Sequence, residues 1–182
     1  AGAISVSIAP GNPAATTVTT NTQGFEMLRV RLSGTGTINE MTLKRLGAGA
    51  VGDIANVYLY DGATRMTSGK SLSAATGDVT FANLSISVSG SKDLSVVTEF
   101  TGVAGNVNYF SLTAVKLASG TVSGLPINGN NISTAGATSG RLDVTKTGSI
   151  PNPAVGTKGA QLSEFKLTSV TEGALVRRIT LL

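Results

Sequence analysis

The chain of 182 residues contains no cysteine, no histidine and no tryptophan. Without Cys there is no disulfide framework, no thiolate nucleophile and no Cys-ligated metal. Without His, the Ser-His-Asp triad and the usual zinc sites are excluded as well. Charge is scarce too: Asp, Glu, Lys and Arg make up 13% of the chain, against roughly a quarter in an average soluble domain. No apolar run approaches the ~18 to 20 residues needed to span a bilayer, so membrane insertion is not expected. The opening "AGAISVS" lacks both the basic and the apolar segment of a signal peptide. It reads as a mature N-terminus left by cleavage, or as a boundary inside a longer chain.

What is present is a chain with 41% hydrophobic residues, enough to bury a core, so intrinsic disorder is not expected. Gly, Ser, Thr, Ala and Val dominate, the composition of a secreted β protein with a hydroxyl-rich surface. The periodicity agrees. In "EMLRVRLSG" Leu28, Val30 and Leu32 alternate with Arg29 and Arg31, one face for the core and one for water. "NVYLYDG" sets Val57 and Leu59 against Tyr58 and Tyr60 and closes on the turn pair Asp61-Gly62. "VTFANLSISVSG", "DLSVVTEF" and "NYFSLTAVKL" follow in kind, with Leu84, Ile86, Val88, Leu94, Val96, Phe110, Leu112 and Ala114 expected to point inward. "MTSGKSLSAATGD" has no 3.6-residue stripe and is read as a loop rather than a helix. Turn signals between the runs predict an antiparallel β-sandwich.

The sequence also restarts. Asn12-Pro13-Ala14 returns as Asn152-Pro153-Ala154; Ile4 and Val6 are answered by Leu142 and Val144, Leu28 and Val30 by Phe165 and Leu167, and "INEMTL" by "VRRITL". One order of apolar positions, turn and Thr-Leu ending indicates an internal repeat. The expected organisation is a β-sandwich module over residues 1–129, a linker rich in Gly and Asn over 130–140, and the N-terminal part of a second, truncated copy over 141–182. A remnant of two or three strands cannot bury its own apolar face. It is either a copy cut short or a segment that completes a sheet in a neighbouring molecule.

The order "GFEMLRVRLSG…INEMTLKRLG…DIANVYLYDG…GDVTFANLSISVSGSKDLSVVTEF" resembles the Ig-like β-sandwich repeats of long bacterial cell-surface proteins, S-layer-type and adhesin-like chains included. The resemblance covers roughly Gly24 to Phe100. It implies an all-β, antiparallel Ig-like sandwich and an extracellular, cell-surface location, and its motifs mark strands and turns, not ligands.

For chemistry the inventory is thin. The ten acidic residues are scattered singly, and no nucleophile and base are paired, so an enzyme is not expected. Calcium is the one cofactor considered, with Asp53, Asp61 and Asp78 in loops that could meet, but no D-x-D-x-D-G loop exists. Tyr58 and Tyr60 side by side form a small platform for a sugar ring. The net charge of +4 comes from Lys and Arg spread over strands with only 4% aromatics, so nucleic acid is not an expected partner. Asn83-Leu84-Ser85 and Asn131-Ile132-Ser133 match the glycosylation sequon, a short pattern, and Asn83 is read as opening a strand. The apolar residues Leu142, Val144, Leu162, Phe165, Leu167, Val176, Ile179 and Leu181 need cover from a partner, other copies of the chain or other modules of it. The predicted function is a non-catalytic structural module of an extracellular assembly (S-layer, sheath, pilus or adhesin stalk) working by self-association. Carbohydrate binding is the alternative.

Overall fold

The computed structural model describes residues 2–136, 141–150, 152–170, 176 and 178–180. The chain divides into two compact units, Ala1–Gly136 and Ala137–Leu182. The first is built from β1 (Gly2–Ile8), β2 (Thr16–Thr19), β3 (Thr22–Leu46), β4 (Ile54–Asp61), β5 (Thr64–Arg65), β6 (Asp78–Phe81), β7 (Ile86–Phe100), β8 (Val107–Leu117), β9 (Gly120–Ser123), β10 (Ile127–Asn128) and β11 (Ile132–Ala135), with a single 3-10 turn at Val51–Asp53. Pairing is antiparallel except for β1 with β9 and β2 with β11. The fold is all-β and consistent with a β-sandwich, as the alternating runs predict. The stretch 66–77 is a loop tied by Val57 and Lys70, which exchange backbone hydrogen bonds of 2.8 and 3.0 Å, and Asp78 already belongs to β6.

The 25-residue β3 organises this unit. Its first half lies between β1 and β7 and its second between β6 and β8. Leu28, Val30, Leu32 and Ile38 are fully buried at even positions, whereas Met41 and Leu43 are fully buried at odd ones. The face changes because the pairing with β8 slips between Ile38 and Glu40: one extra residue in a bulge turns every later side chain to the other side. One strand therefore contributes to the core on both sides of the bulge while the sheet curls. Close approach is secured by Gly34 (φ +131°), where a Cβ would overlap the Ala3 carbonyl of β1, so only glycine fits.

The core draws on β1, β3, β4, β6, β7 and β8, with Ile4, Val6, Val57, Leu59, Val79, Phe81, Val88, Leu94, Val96, Phe100, Phe110 and Leu112 all at or below 3% exposure. The expected inward residues Leu84 and Ala114 are only half-buried. The module does not stop at Gly129. β11 lies inside the stretch read as a linker, pairs with both β2 and β8, and buries Ile132 completely. A polar, Asn-rich composition masked a four-residue strand with a single apolar anchor.

The second unit contains β12 (Arg141–Lys146) and β13 (Phe165–Val170), paired antiparallel with Val144 opposite Leu167 and Lys146 opposite Phe165. In the first unit Val6 lies opposite Leu32 and Ile8 opposite Val30. Both pairs join an early strand to a later one across a connection that carries Asn-Pro-Ala.

Candidate functional site

In an antiparallel pair, directly opposed residues share a face. On one face of β12 and β13 this brings together Leu142, Val144, Phe165 and Leu167, which are 40%, 63%, 38% and 36% exposed. With Val176, Arg178, Ile179 and Thr180 they line an open hollow of about 330 Å³. The opposite face carries Asp143, Thr145, Lys166 and Thr168. Six of the eight apolar residues singled out in the sequence thus surround one hollow. Leu162 stands exposed in the connection before β13, and Leu181 lies outside the described residues. Arg178 and Thr180 at the rim were not anticipated, since neither is apolar nor within a recognisable motif.

Tyr58 and Tyr60 lie two apart on β4, opposite Val97 and Ser95 of β7. Tyr58 is already engaged. Its hydroxyl donates to Glu99 at 2.5 Å, the Arg65 guanidinium lies 5.5 Å from the ring centroid, and a Cβ on Gly69 would come within 2.7 Å of the ring. An aromatic ring offered to a sugar needs a free face, and here both an arginine and a backbone segment crowd it. The second Glu99 oxygen accepts from Asn56 Nδ2 at 2.6 Å. These two donors, Asn56 first, hold the Glu99 carboxyl below the usual carboxylate range, and the bond to Glu99 pushes the Tyr58 phenol up. A carboxylate whose folded pKa is depressed contributes its stability above the unfolded value, near 4.3, and loses it as pH falls through the folded one. The Glu99→Gln variant is therefore expected to lose less of its melting temperature than the wild type as the pH is lowered below about 4. Thermal melts across the acid range check this, and parallel curves for the two proteins would refute it.

The three acids considered for calcium occupy separate environments. Asp61 pairs with Lys92 at 2.6 Å, and Asp78 lies opposite Lys44 where β6 meets β3. Asp53 is 3% exposed, not an open loop residue: its carboxylate accepts from Ala50 N–H at 2.9 Å, from Asn106 Nδ2 at 3.0 Å and from Asn108 Nδ2 at 2.9 Å. Among the described residues no three metal-ligating side chains gather. The odd parity after the bulge also turns Arg45 inward, to 9% exposure, where Nε donates to Asn108 Oδ1 at 2.6 Å and Nη2 to the carbonyls of Gly47 and Gly49. Asn108 thus relays between a buried cation and a buried carboxylate. Nothing in the sequence announces this network, because the asparagines that join Arg45 to Asp53 are 53 to 63 residues from the side chains they bind.

Several strand cations are spoken for. Arg29 pairs with Glu26 and Arg31 with Asp93 at 2.7 Å, and Lys116 with Glu40 at 2.6 Å. No helix among the described residues is long and apolar enough to cross a membrane.

No family model and no curated protein matches the chain. Among solved structures it is similar to the C-terminal domain of the Streptococcus pyogenes antigen I/II-family protein AspA, at 14% identity and a TM-score of 0.28, over 73% of this chain and 46% of that one. The chain spans less than half the length of that structure, and the likeness is loose.

Proposed function

We propose that this chain is a non-catalytic structural module of an extracellular surface assembly, held to other copies of itself through the apolar face of β12 and β13. The observation that carries the reading is a contrast between two similar strand pairs. In the first unit Ile4, Val6, Val30 and Leu32 are at most 3% exposed, whereas Leu142, Val144, Phe165 and Leu167 are 36% to 63% exposed. Covering such side chains is worth roughly 1.5 to 3 kcal/mol each, so leaving the set in water is costly. The sparse charge and the resemblance to surface repeats favour an extracellular role, in which sandwich modules extend a chain and meet side by side. S-layer, sheath, pilus and adhesin stalk all fit this role.

The test is sedimentation of the full chain over a range of concentrations beside the Leu142→Lys/Leu167→Lys variant. The wild type should associate as concentration rises and the variant should remain monomeric, because two cations cannot be buried unpaired. A wild type that stays monomeric throughout would remove the basis for self-association.

A further inference from the structure

The two sequons, set aside as short patterns, meet very different surroundings. An N-glycan acceptor needs its amide within reach of the enzyme and its flanking backbone in a surface loop. Asn131 is itself exposed but fails on the second count, because its sequon runs directly into β11. Its carbonyl accepts from Thr16 N–H at 3.3 Å, and the next residue, Ile132, is fully buried. Ile132 and Ser133 are paired on one side with Thr16 and Thr17 and on the other with Asn108 and Val107. Reaching this sequon means lifting β11 out of the sheet.

Asn83 does not open a strand. β6 ends at Phe81 and β7 begins at Ile86, and between them the chain bends, with Asn83 at φ +57°, a left-handed conformation that asparagine tolerates. Asn83 and Ser85, the two residues a sequon enzyme reads, are both exposed, while Leu84 between them is half-buried against the core. The loop is pinned by one backbone bond, Leu84 N–H to the Asn39 carbonyl at 2.9 Å. Beside it opens a hollow of about 470 Å³ lined by Asn39, Glu40 and Lys116 among others, with the Glu40–Lys116 ion pair at 2.6 Å. Polar groups of this kind suit the hydroxyl and acetamido groups of a first sugar.

We infer that Asn83 is an N-glycan acceptor of the folded protein and that Asn131 is not. The donor class is an oligosaccharide carried on a polyprenyl diphosphate. Asn83 Nδ2 attacks the anomeric carbon, a C–N bond forms, the C–O bond to the diphosphate breaks, the polyprenyl diphosphate leaves and the amide proton passes to the transferase. Nothing is oxidised or reduced.

The test incubates the folded full-length chain with a purified oligosaccharyltransferase that reads only Asn-x-Ser/Thr, together with its lipid-linked donor, followed by intact mass and site mapping. One glycan should be added to the wild type and to Asn131→Gln, and none to Asn83→Gln or to Ser85→Ala, which keeps the asparagine but removes the hydroxyl. Circular dichroism of each variant establishes that it is folded. A folded wild type that takes no glycan, or one modified at Asn131 as fully as at Asn83, would overturn the assignment.

Discussion

Replacing Arg45 by methionine is expected to cost the first unit about 3–5 kcal/mol, the range for removing one partner of a buried ionic network. Methionine follows the arginine stem and fills much of the same space. It supplies no donor, so Asn108 Oδ1 and the Gly47 and Gly49 carbonyls lose the guanidinium. Asp53, 3% exposed, then keeps its amide donors and loses the cation relayed through Asn108. The measurement is a urea titration, in which the midpoint should fall by at least about 1 M. Asp53→Asn and the double variant complete a cycle. Because the residues share one network, the double change should cost less than the two single losses added, by about 0.5–3 kcal/mol. A loss below about 1 kcal/mol for Arg45→Met would mean that solvent or loop rearrangement satisfies those carbonyls and that the network does not hold the 47–53 loop.

The second large effect comes from truncating two leucines that hold equivalent places in the strand pairing, Leu32 opposite Val6 and Leu167 opposite Val144, although the sequence repeat sets Leu167 against Val30, two residues earlier on β3. Leu32 is fully buried and Leu167 is 36% exposed. Leu32→Ala should destabilise by about 2–5 kcal/mol, transfer cost plus the cavity left in the core. Leu167→Ala should leave the first unit's melting unchanged within about 0.5 kcal/mol. Its effect belongs to association, where losing about 1.4 kcal/mol of buried contact means about tenfold weaker binding. Calorimetry and sedimentation on the same two proteins separate the outcomes. If Leu167→Ala lowers the first unit's melting as Leu32→Ala does, the two units are thermodynamically one and the division between them is wrong.

Alternation alone disclosed much of the fold. Leu28, Val30 and Leu32, then Val57 and Leu59, then Ile86 and Val88, were each legible as inward because a pleated strand has a strict period of two. The same rule was blind at Asn39, where a bulge shifts the phase, and so gave no reason to place Arg45 inside. The strand Ile132–Ala135 was missed because one apolar residue cannot show a period. For the candidate site, the apolar set of the second unit was legible as an unpaid need for cover, since hydrophobicity is local information. The surroundings of Tyr58 were not: Glu99 stands 41 residues away, and only the pairing of β4 with β7 brings it close. Asn83 reads as the start of a strand for the opposite reason, since apolar neighbours on both sides suggest continuity where the chain in fact bends.

The placement of β1 has a mechanical consequence. It is held on both sides, antiparallel to β3 from Ala3 to Ile8 and parallel to β9 from Gly2 to Ser5. A pull on Gly2 along the strand direction loads these ladders in shear, so their hydrogen bonds must yield together and cannot be peeled off one after another. Tension at that end therefore meets the resistance of two seams at once.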